Sequence, residues 1–317
     1  MIKKILLIIG LFGGISNSST SQTIIRMEDN ALPHYFCTAS DERYYPCLLN
    51  LIGSIHKFDW KHLEEIAVFN LGMTTKQLNK LKKMSKVQVY EVEMTHPDLL
   101  KYFETNPYGK KVRGYYAWKP VAIKQALDMF PYILYLDAGV TILKPLDDLF
   151  ESIVSKGYFL LHCGYAAPGR PHNVGDRVTK PVIEKVIDKH FIDQKEYLLD
   201  FQTPMLSAAI QGLSHKVYDS YVLPMYETTY DMQLYEDDKS AILGWGAGRH
   251  DQTLYTIFAQ AQKLELYPQG WLTLDNGIKM HYHWDKSLIG DHTTIYHSRG
   301  DLYQGGFLKN IIFKEKI

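Results

Sequence analysis

Residues 132–140 contain the side chain with the clearest capacity for chemistry in the chain. Five apolar or aromatic residues, Tyr-Ile-Leu-Tyr-Leu, lead directly to one carboxylate, Asp137. Such a run is typical of a fully buried strand of an α/β sheet, and ligands of open α/β sheets bind beyond the carboxyl ends of the strands. We therefore expect Asp137 to contact a ligand, or a metal ion carried by the ligand. Alternatively, Asp137 has a structural role and caps the turn that follows.

A second candidate lies in the glycine-rich residues 244–252, Gly-Trp-Gly-Ala-Gly-Arg-His-Asp-Gln. The glycines would allow backbone N–H groups to approach a ligand, and Asp251 and Gln252 follow them at the beginning of a predicted helix. The spacing differs from the dinucleotide and phosphate-loop fingerprints. An ordinary turn, with Asp251 as a helix cap, is the alternative.

The C-terminal part of the chain is rich in imidazoles and carboxylates: His281, His283, Asp285, Asp291, His292 and His297. These groups are ligands for zinc, so a metal-dependent hydrolase is one candidate function. Alternation along a strand places His281 and His283 on one face, where a core or surface pair is equally typical. The chain lacks the Gly-x-Ser-x-Gly motif and a Cys/His nucleophile pattern.

The elements that would position these groups alternate between strands and helices. Thr74 and Gln77 have the spacing of a capping box at one helix start. Strands are predicted at 35–41, 66–70, 87–92 and 132–136, and helices at 44–57, from 74 onwards and at 118–129. This order predicts an α/β protein with a doubly wound, mostly parallel sheet flanked by helices.

The second half of the chain has a less regular pattern. The lack of periodicity over residues 164–175 predicts an ordered loop or a lid. Helices are predicted at 145–150, 182–189, 202–211 and 251–262, and short strands at 280–284 and 294–297. The chain has no internal repeat or low-complexity linker, so residues 23–317 are predicted to form one domain.

The N-terminus has the features of a secretory signal peptide over residues 1–22. Lys3 and Lys4 precede an apolar run at 5–15 and a small polar exit at 16–22. The run is shorter than the roughly 20 residues that span a bilayer. We expect an extracytoplasmic or secreted protein with no membrane span after leader removal; an uncleaved anchor is the alternative.

Charge and cysteine content exclude other classes. The chain has 35 Lys and Arg against 35 Asp and Glu, so no basic surface points to nucleic acid. Its three cysteines, Cys37, Cys47 and Cys163, exclude a disulfide scaffold and permit at most one bridge.

The order of the motifs resembles that of GT-A-fold glycosyltransferases, in particular the glycogenin and galactinol synthase-like group (glycosyltransferase family eight). The landmarks are Thr-Ala-Ser-Asp at 38–41, Leu-Gly-Met at 71–73, Tyr-Leu-Asp-Ala-Gly at 135–139, His-Asp-Gln at 250–252 and His-Ser-Arg-Gly at 297–300. The resemblance implies transfer of a hexose from a nucleotide sugar, with uridine diphosphate as the expected carrier. The acceptor would be a glycan, protein or small molecule.

The resemblance also assigns roles to individual residues. It places Thr38 and Asp41 against the uridine base and ribose, and Asp137 against the ribose and a divalent cation. His297 would complete the metal and diphosphate site. Asp251 and Gln252 would face the donor sugar and the acceptor. Basic groups that the resemblance places against the nucleotide are Arg113, Lys119 and Arg299.

One position departs from the family pattern. Gly139 occupies the place of the second acid of the Asp-x-Asp motif, which is the principal metal ligand in that family. Mn²⁺ and Mg²⁺ prefer several oxygen ligands. Three outcomes follow: weak metal binding through Asp137, His297 and the diphosphate; neutralisation of the diphosphate by protein cations; or a non-catalytic nucleotide-sugar or glycan-binding relative.

Overall fold

The computed structural model describes residues 32–104, 111–283, 285–297 and 306–314. The predicted leader, Trp284 and Arg299 lie outside these residues. Within the described ranges, no helix has both the length and the apolar character needed to cross a membrane.

The described residues form strands and helices in an alternating order over the first half of the chain. The strands are β1 (His34–Ser40), β2 (Leu63–Asn70), β3 (Val87–Glu91), β4 (Tyr102–Glu104), β5 (Lys111–Arg113), β6 (Tyr132–Leu136), β7 (Val140–Ile142), β8 (Tyr158–His162), β9 (Tyr165–Ala167), β10 (Arg170–Pro171), β11 (Leu206–Ser214), β12 (Gly270–Thr273), β13 (Lys279–His283) and β14 (Ile295–His297). The α-helices are α1 (Tyr45–Phe58), α2 (Thr75–Leu81), α3 (Trp118–Met129), α4 (Asp147–Lys156), α5 (Lys180–Val182), α6 (Asp188–His190), α7 (Lys195–Leu199), α8 (Leu223–Glu227) and α9 (Asp251–Ala261).

Six strands form the central sheet in the order β3-β2-β1-β6-β11-β8. Strands β3, β2, β1 and β6 are parallel, whereas β11 runs antiparallel to both of its neighbours. The carboxyl ends of β1, β6 and β8 therefore lie at one edge of the sheet. The predicted mostly parallel α/β sheet is confirmed.

Alternation along the strands divides the apolar side chains between two cores. Phe36 of β1 packs with α1 and α4 on one face of the sheet. Cys37 packs with α3, α8 and α9 on the opposite face. Helices on both faces explain why β6 is apolar at every position, because neither of its faces meets solvent.

A smaller sheet with the order β12-β13-β14-β7 lies beyond the turn that contains Asp137. Strand β7 follows this turn directly, and β14 pairs with it so that His297 lies opposite Val140. The register of two short strands thus brings the C-terminal part of the chain back to the carboxyl end of β6.

Local signals predicted most of the elements. The capping box is confirmed: the Thr74 side chain accepts the Gln77 backbone N–H, and the Gln77 side chain accepts the Thr74 N–H. The helix predicted at 182–189 is part of a helical segment over 180–190 that contains a π-turn. Residues 164–175 are an ordered segment that contains β9 and β10. All three cysteines are free thiols.

The helix predicted at 202–211 is wrong. Residues 206–214 form β11, between β6 and β8 in the sheet. Alanines at 208 and 209 favour a helix locally, but pairing with two strands satisfies the backbone and buries Ile210 and Leu213 on opposite sides. Tertiary packing therefore overrides the local propensity.

Candidate active site

A cleft of about 560 Å³ opens at the carboxyl edge of the central sheet. It is lined by seven of the nine residues to which the sequence analysis assigned a role in the site: Asp41, Arg113, Lys119, Asp137, Asp251, Gln252 and His297. Thr38 is 1% exposed within β1 and lies outside the lining. The fold thus gathers residues that are more than 250 positions apart in the chain into one site.

Lys119 is a buried cation at the centre of this cleft. Helix α3 begins at Trp118, so its first turn projects Lys119 over the sheet. The ammonium lies 3.2 Å from Asp137 Oδ1 and 2.9 Å from Asp251 Oδ2, and it donates to the carbonyl of Ala208 at 3.1 Å. Only 4% of the side chain is exposed. Lys119 is therefore held by three oxygens from three separate elements.

Asp137 is ionised by its surroundings. Burial alone would raise the pKa of this carboxyl, but the charges of Lys119 and His297 and a hydrogen bond from Tyr135 lower it. The Tyr135 hydroxyl donates to Asp137 Oδ1 at 2.6 Å. Because about a third of the Asp137 side chain is exposed, the carboxylate still faces the cleft.

The pKa of Asp251 is shifted in the opposite direction from that of Asp137. Asp251 is the first residue of α9, and burial raises its pKa to about 6, although Lys119 opposes the rise. Its Oδ2 atom is buried and within ion-pair distance of Lys119, without an aligned hydrogen bond. Two carboxylates that share one ammonium thus differ in proton affinity, which is the pattern of a site that assigns them different roles.

Both carboxylate oxygens of Asp41 contact protein groups and stabilise the turn after β1. Its Oδ1 accepts the backbone N–H groups of Arg43 and Tyr44, each at 3.0 Å. Its Oδ2 accepts the Tyr102 hydroxyl at 2.9 Å and lies 3.4 Å from Arg113 Nε. These contacts orient Arg113, whose guanidinium stacks over the Tyr102 ring at 4.0 Å, along the β1 side of the cleft.

Gln252 lies one residue beyond Asp251 and is fixed through its amide. Its Nε2 atom donates to the Leu206 carbonyl at 2.8 Å and lies 2.9 Å from Cys163 Sγ. The amide therefore bridges β11 and the end of β8. This arrangement leaves the Gln252 side chain on the cleft wall, at the β8 side of Lys119.

The described side chains around the cleft do not form a divalent-cation site by themselves. Gly139 supplies no side-chain ligand, and Asp137 Oδ1 already receives Tyr135 and Lys119. His297 is buried at the end of β14, close enough to Asp137 for its charge to act on it. Among the described residues, no group of three or more His, Cys, Asp or Glu is arranged to hold a metal ion.

Several basic residues near the cleft were not predicted. His172 and Arg249 line it, and Arg177 contacts His172. Arg249 lies inside the glycine-rich motif, so the sequence could have predicted that it lies near the site. His172 lies in the aperiodic segment 164–175 and Arg177 just after it, where no periodicity indicates which way a side chain points.

Comparison with known proteins supports the fold assignment. No protein-family model matches the chain, and no curated protein sequence matches it. The crystal structure of core-mannan synthase A from Aspergillus fumigatus, in a Mn/GDP form, superimposes with a TM-score of 0.52 and 11% identity, covering 80% of this chain and 74% of that one. Mouse xyloside xylosyltransferase 1, in its apo form, gives a TM-score of 0.46 and 13% identity over 84% and 97% of the two chains.

At this level of identity the likeness establishes a fold. The chain has the fold of the GT-A glycosyltransferases, as the order of its motifs predicted. The narrower resemblance to glycosyltransferase family eight stays a prediction.

Proposed function

We propose that this protein is a glycosyltransferase that moves a hexose from a nucleotide sugar to an acceptor hydroxyl group. The observation that carries the proposal is the buried Lys119, shared between Asp137 and Asp251 at the carboxyl edge of a GT-A sheet. Burial of a charge is costly unless it is paired. An arrangement of three ionised groups beside an open cleft is typical of a site that binds a charged ligand.

The geometry suggests a division of the cleft. Asp41 and Asp137 follow β1 and β6, and Arg113 ends β5 beside Asp41; these three residues would contact the nucleoside diphosphate. Lys119 would face the bond between the diphosphate and the sugar, where negative charge develops as the bond breaks; a fixed cation there stabilises the transition state more than the ground state. Asp251 and Gln252 would contact the donor sugar. The non-catalytic alternative would use the same contacts for binding alone.

Uridine diphosphate is the carrier that we propose. Core-mannan synthase A was crystallised with GDP, so guanosine diphosphate is the appropriate comparison in a binding experiment. The proposed acceptor is a glycan, protein or small molecule. We further propose that the chain enters an extracytoplasmic compartment after removal of residues 1–22, which N-terminal sequencing of the mature protein would check.

No observation favours the hydrolase based on the C-terminal histidines. The rings of His281 and His292 are 4.4 Å apart, and Trp271 stacks against His292 at 5.4 Å. These contacts are aromatic packing on the small sheet. They do not converge on a common ligand position among the described residues.

Replacement of Asp137 by asparagine tests the proposed nucleotide site. We expect uridine diphosphate to bind about tenfold more weakly or worse, because one charge-assisted hydrogen bond is worth about 1.5–3 kcal/mol. Isothermal titration calorimetry of wild type and Asp137→Asn measures the difference. Asp128→Asn is a matched control, since Asp128 pairs with Lys124 outside the cleft. Unchanged or tighter binding by Asp137→Asn would contradict this role.

Restoring the missing acid tests the cation requirement. With Gly139 in place, we expect manganese to bind weakly to the free protein and more tightly once uridine diphosphate supplies oxygens. Gly139→Asp should raise manganese affinity if the site is a degraded metal site. It should leave affinity unchanged and lower activity if Lys119 already serves as the cation, because the new carboxylate would pair with it. Manganese titrations of both proteins, with and without nucleotide, separate these cases; tight binding by nucleotide-free wild type would contradict the expectation.

A further inference from the structure

Two arginines and a histidine lie together on the β8 side of the cleft. His172 and Arg249 line the cleft wall, and Arg177 Nη2 lies 3.4 Å from His172 Nδ1. We call His172, Arg177 and Arg249 the basic cluster. Burial and then repulsion from Arg249 lower the pKa of Arg177, and burial and then both arginines lower the pKa of His172. His172 is therefore neutral, whereas Arg177, which reaches the carbonyl of Ala247 two residues before Arg249, carries a charge that repels Arg249.

The nearby carboxylates are hydrogen-bonded to other groups. Asp176 accepts Arg170 Nη2 at 2.7 Å and 2.8 Å and Asn173 Nδ2 at 3.0 Å. Asp237 is fully buried and accepts the backbone N–H of Gly246 at 2.7 Å. Within the described ranges, neither Arg177 nor Arg249 has a carboxylate within 4 Å.

Like charges held together beside an open cleft raise the free energy of the folded protein unless an anion joins them. Guanidinium groups match carboxylate and phosphate oxygens in geometry as well as charge. Arg249 is exposed, and half-buried Arg177 makes only long contacts, to the Ala247 carbonyl at 3.5 Å and to His172 Nδ1 at 3.4 Å. Both arginines therefore retain donors for a ligand.

The position of the basic cluster separates it from the nucleotide side of the cleft. Asp41 and Asp137 follow β1 and β6, whereas His172 and Arg177 follow β8, two strands further along the sheet. Gln252 lies between, because its amide contacts Cys163 at the end of β8 while Asp251 beside it contacts Lys119. A ligand group at the basic cluster would therefore lie beyond the donor sugar, on the acceptor side.

We propose that the basic cluster is a subsite for an anionic group, a carboxylate or a phosphate, on the acceptor sugar. The inference rests on the proposed glycosyl transfer and names its acceptor class as an acidic glycan. The anion would occupy the space between Arg249 and the Arg177–His172 pair. The hydroxyl to be glycosylated would then point towards Gln252 and Asp251.

Three hexoses that differ only at the sixth carbon test the proposal: glucose, glucuronate and glucose 6-phosphate. Each is titrated by calorimetry into full-length protein saturated with uridine diphosphate, at constant ionic strength. We expect at least one acidic sugar to bind roughly tenfold or more tightly than glucose, and the stronger one identifies the carboxylate or the phosphate as the source. Arg249→Gln and Arg177→Gln should each remove this preference and leave affinity for uridine diphosphate unchanged.

Lys239→Gln is the matched control, because it removes one positive charge from an exposed residue outside the cleft lining. It should keep the full preference for the acidic sugar. Equal binding of the three sugars by wild type, or a preference that survives both arginine variants, would overturn the proposal.

A parallel experiment compares the binding of two donor sugars, UDP-glucuronate and UDP-glucose. A preference for UDP-glucuronate that Arg249→Gln abolishes would place the anion on the donor and overturn the acceptor assignment. Weaker binding of uridine diphosphate itself by the arginine variants would assign the basic cluster to the diphosphate. These readouts are independent of turnover, so failure of the proposed transferase activity would be seen separately.

Discussion

Replacement of Lys119 by methionine is expected to lower the free energy of unfolding by about 3–5 kcal/mol at pH 7. Methionine keeps the apolar stem of the side chain as far as its ε carbon but removes the ammonium that Asp137 and Asp251 share. Breaking a buried ion pair in this way costs far more than removing a surface pair. Urea denaturation followed by circular dichroism measures the loss.

Helix α3 supplies a matched control for this substitution. Lys124 pairs with Asp128 at 2.7 Å across one turn, and both side chains are partly exposed. Lys124→Met should cost less than about 1 kcal/mol, as is usual for exposed pairs. Similar losses for Lys119→Met and Lys124→Met would contradict a central role for Lys119.

A second variant shows whether the loss is electrostatic. Asp251→Asn combined with Lys119→Met removes one of the two unpaired carboxylates, so the double variant should recover part of the stability. The Lys119→Met loss should also be smaller at pH 5 than at pH 8, because Asp251, whose pKa is already raised to about 6, is then protonated. A loss that is independent of pH would indicate packing instead.

Replacement of Asp251 by asparagine is expected to lower the rate of sugar transfer or donor hydrolysis on the order of a hundredfold or more. The ionised carboxylate would stabilise positive charge at the sugar as the bond to the diphosphate breaks, and asparagine supplies no charge. The rate is measured with the nucleotide sugar that wild type hydrolyses fastest in a panel. Affinity for uridine diphosphate should change little, because the affected interaction lies at the sugar.

The pH profile distinguishes a chemical role for Asp251 from a structural one. Wild-type activity should rise with pH through about 6, where Asp251 ionises, and this limb should be absent from Asp251→Asn. Asp219→Asn is the control: it changes an exposed acid outside the cleft lining and should retain the limb. An unchanged limb in Asp251→Asn would assign the titration to another group.

The contribution of Asp251 to the stability of the fold should fall as the pH rises, whereas its contribution to activity should increase. A carboxyl whose pKa is raised in the folded protein binds its proton more tightly there than in the unfolded chain. Asp251 therefore stabilises the fold most below its unfolded pKa of about 4, and that stabilisation is lost as the pH rises through about 6. The stability of Asp251→Asn relative to wild type should accordingly increase between pH 4 and pH 7.

The sequence by itself determined the scaffold of the site. Its alternation of strands and helices and the apolar run before Asp137 were enough to predict a mostly parallel α/β sheet, because burial of β6 on both faces requires an unbroken apolar strand. The GT-A fold came from the resemblance of the motif order to that family. The same reasoning placed Asp137 and Asp251 at strand and helix ends, where side chains can meet a ligand. Each element and motif is recognised from a short stretch of sequence, without knowledge of which distant residues it meets.

Tertiary structure decided which charges meet and which strands form. The alanines of β11 favour a helix locally, but pairing with β6 and β8 makes this segment a strand. His297 lies near Asp137 because of the register between β14 and β7. Lys119 has the sequence signature of a surface residue, yet it is buried between carboxylates from two distant elements. Arg177 and His172 approach Arg249 for the same reason. A pKa depends on the distances between groups and on their exposure to solvent, and both are fixed only when the chain has folded.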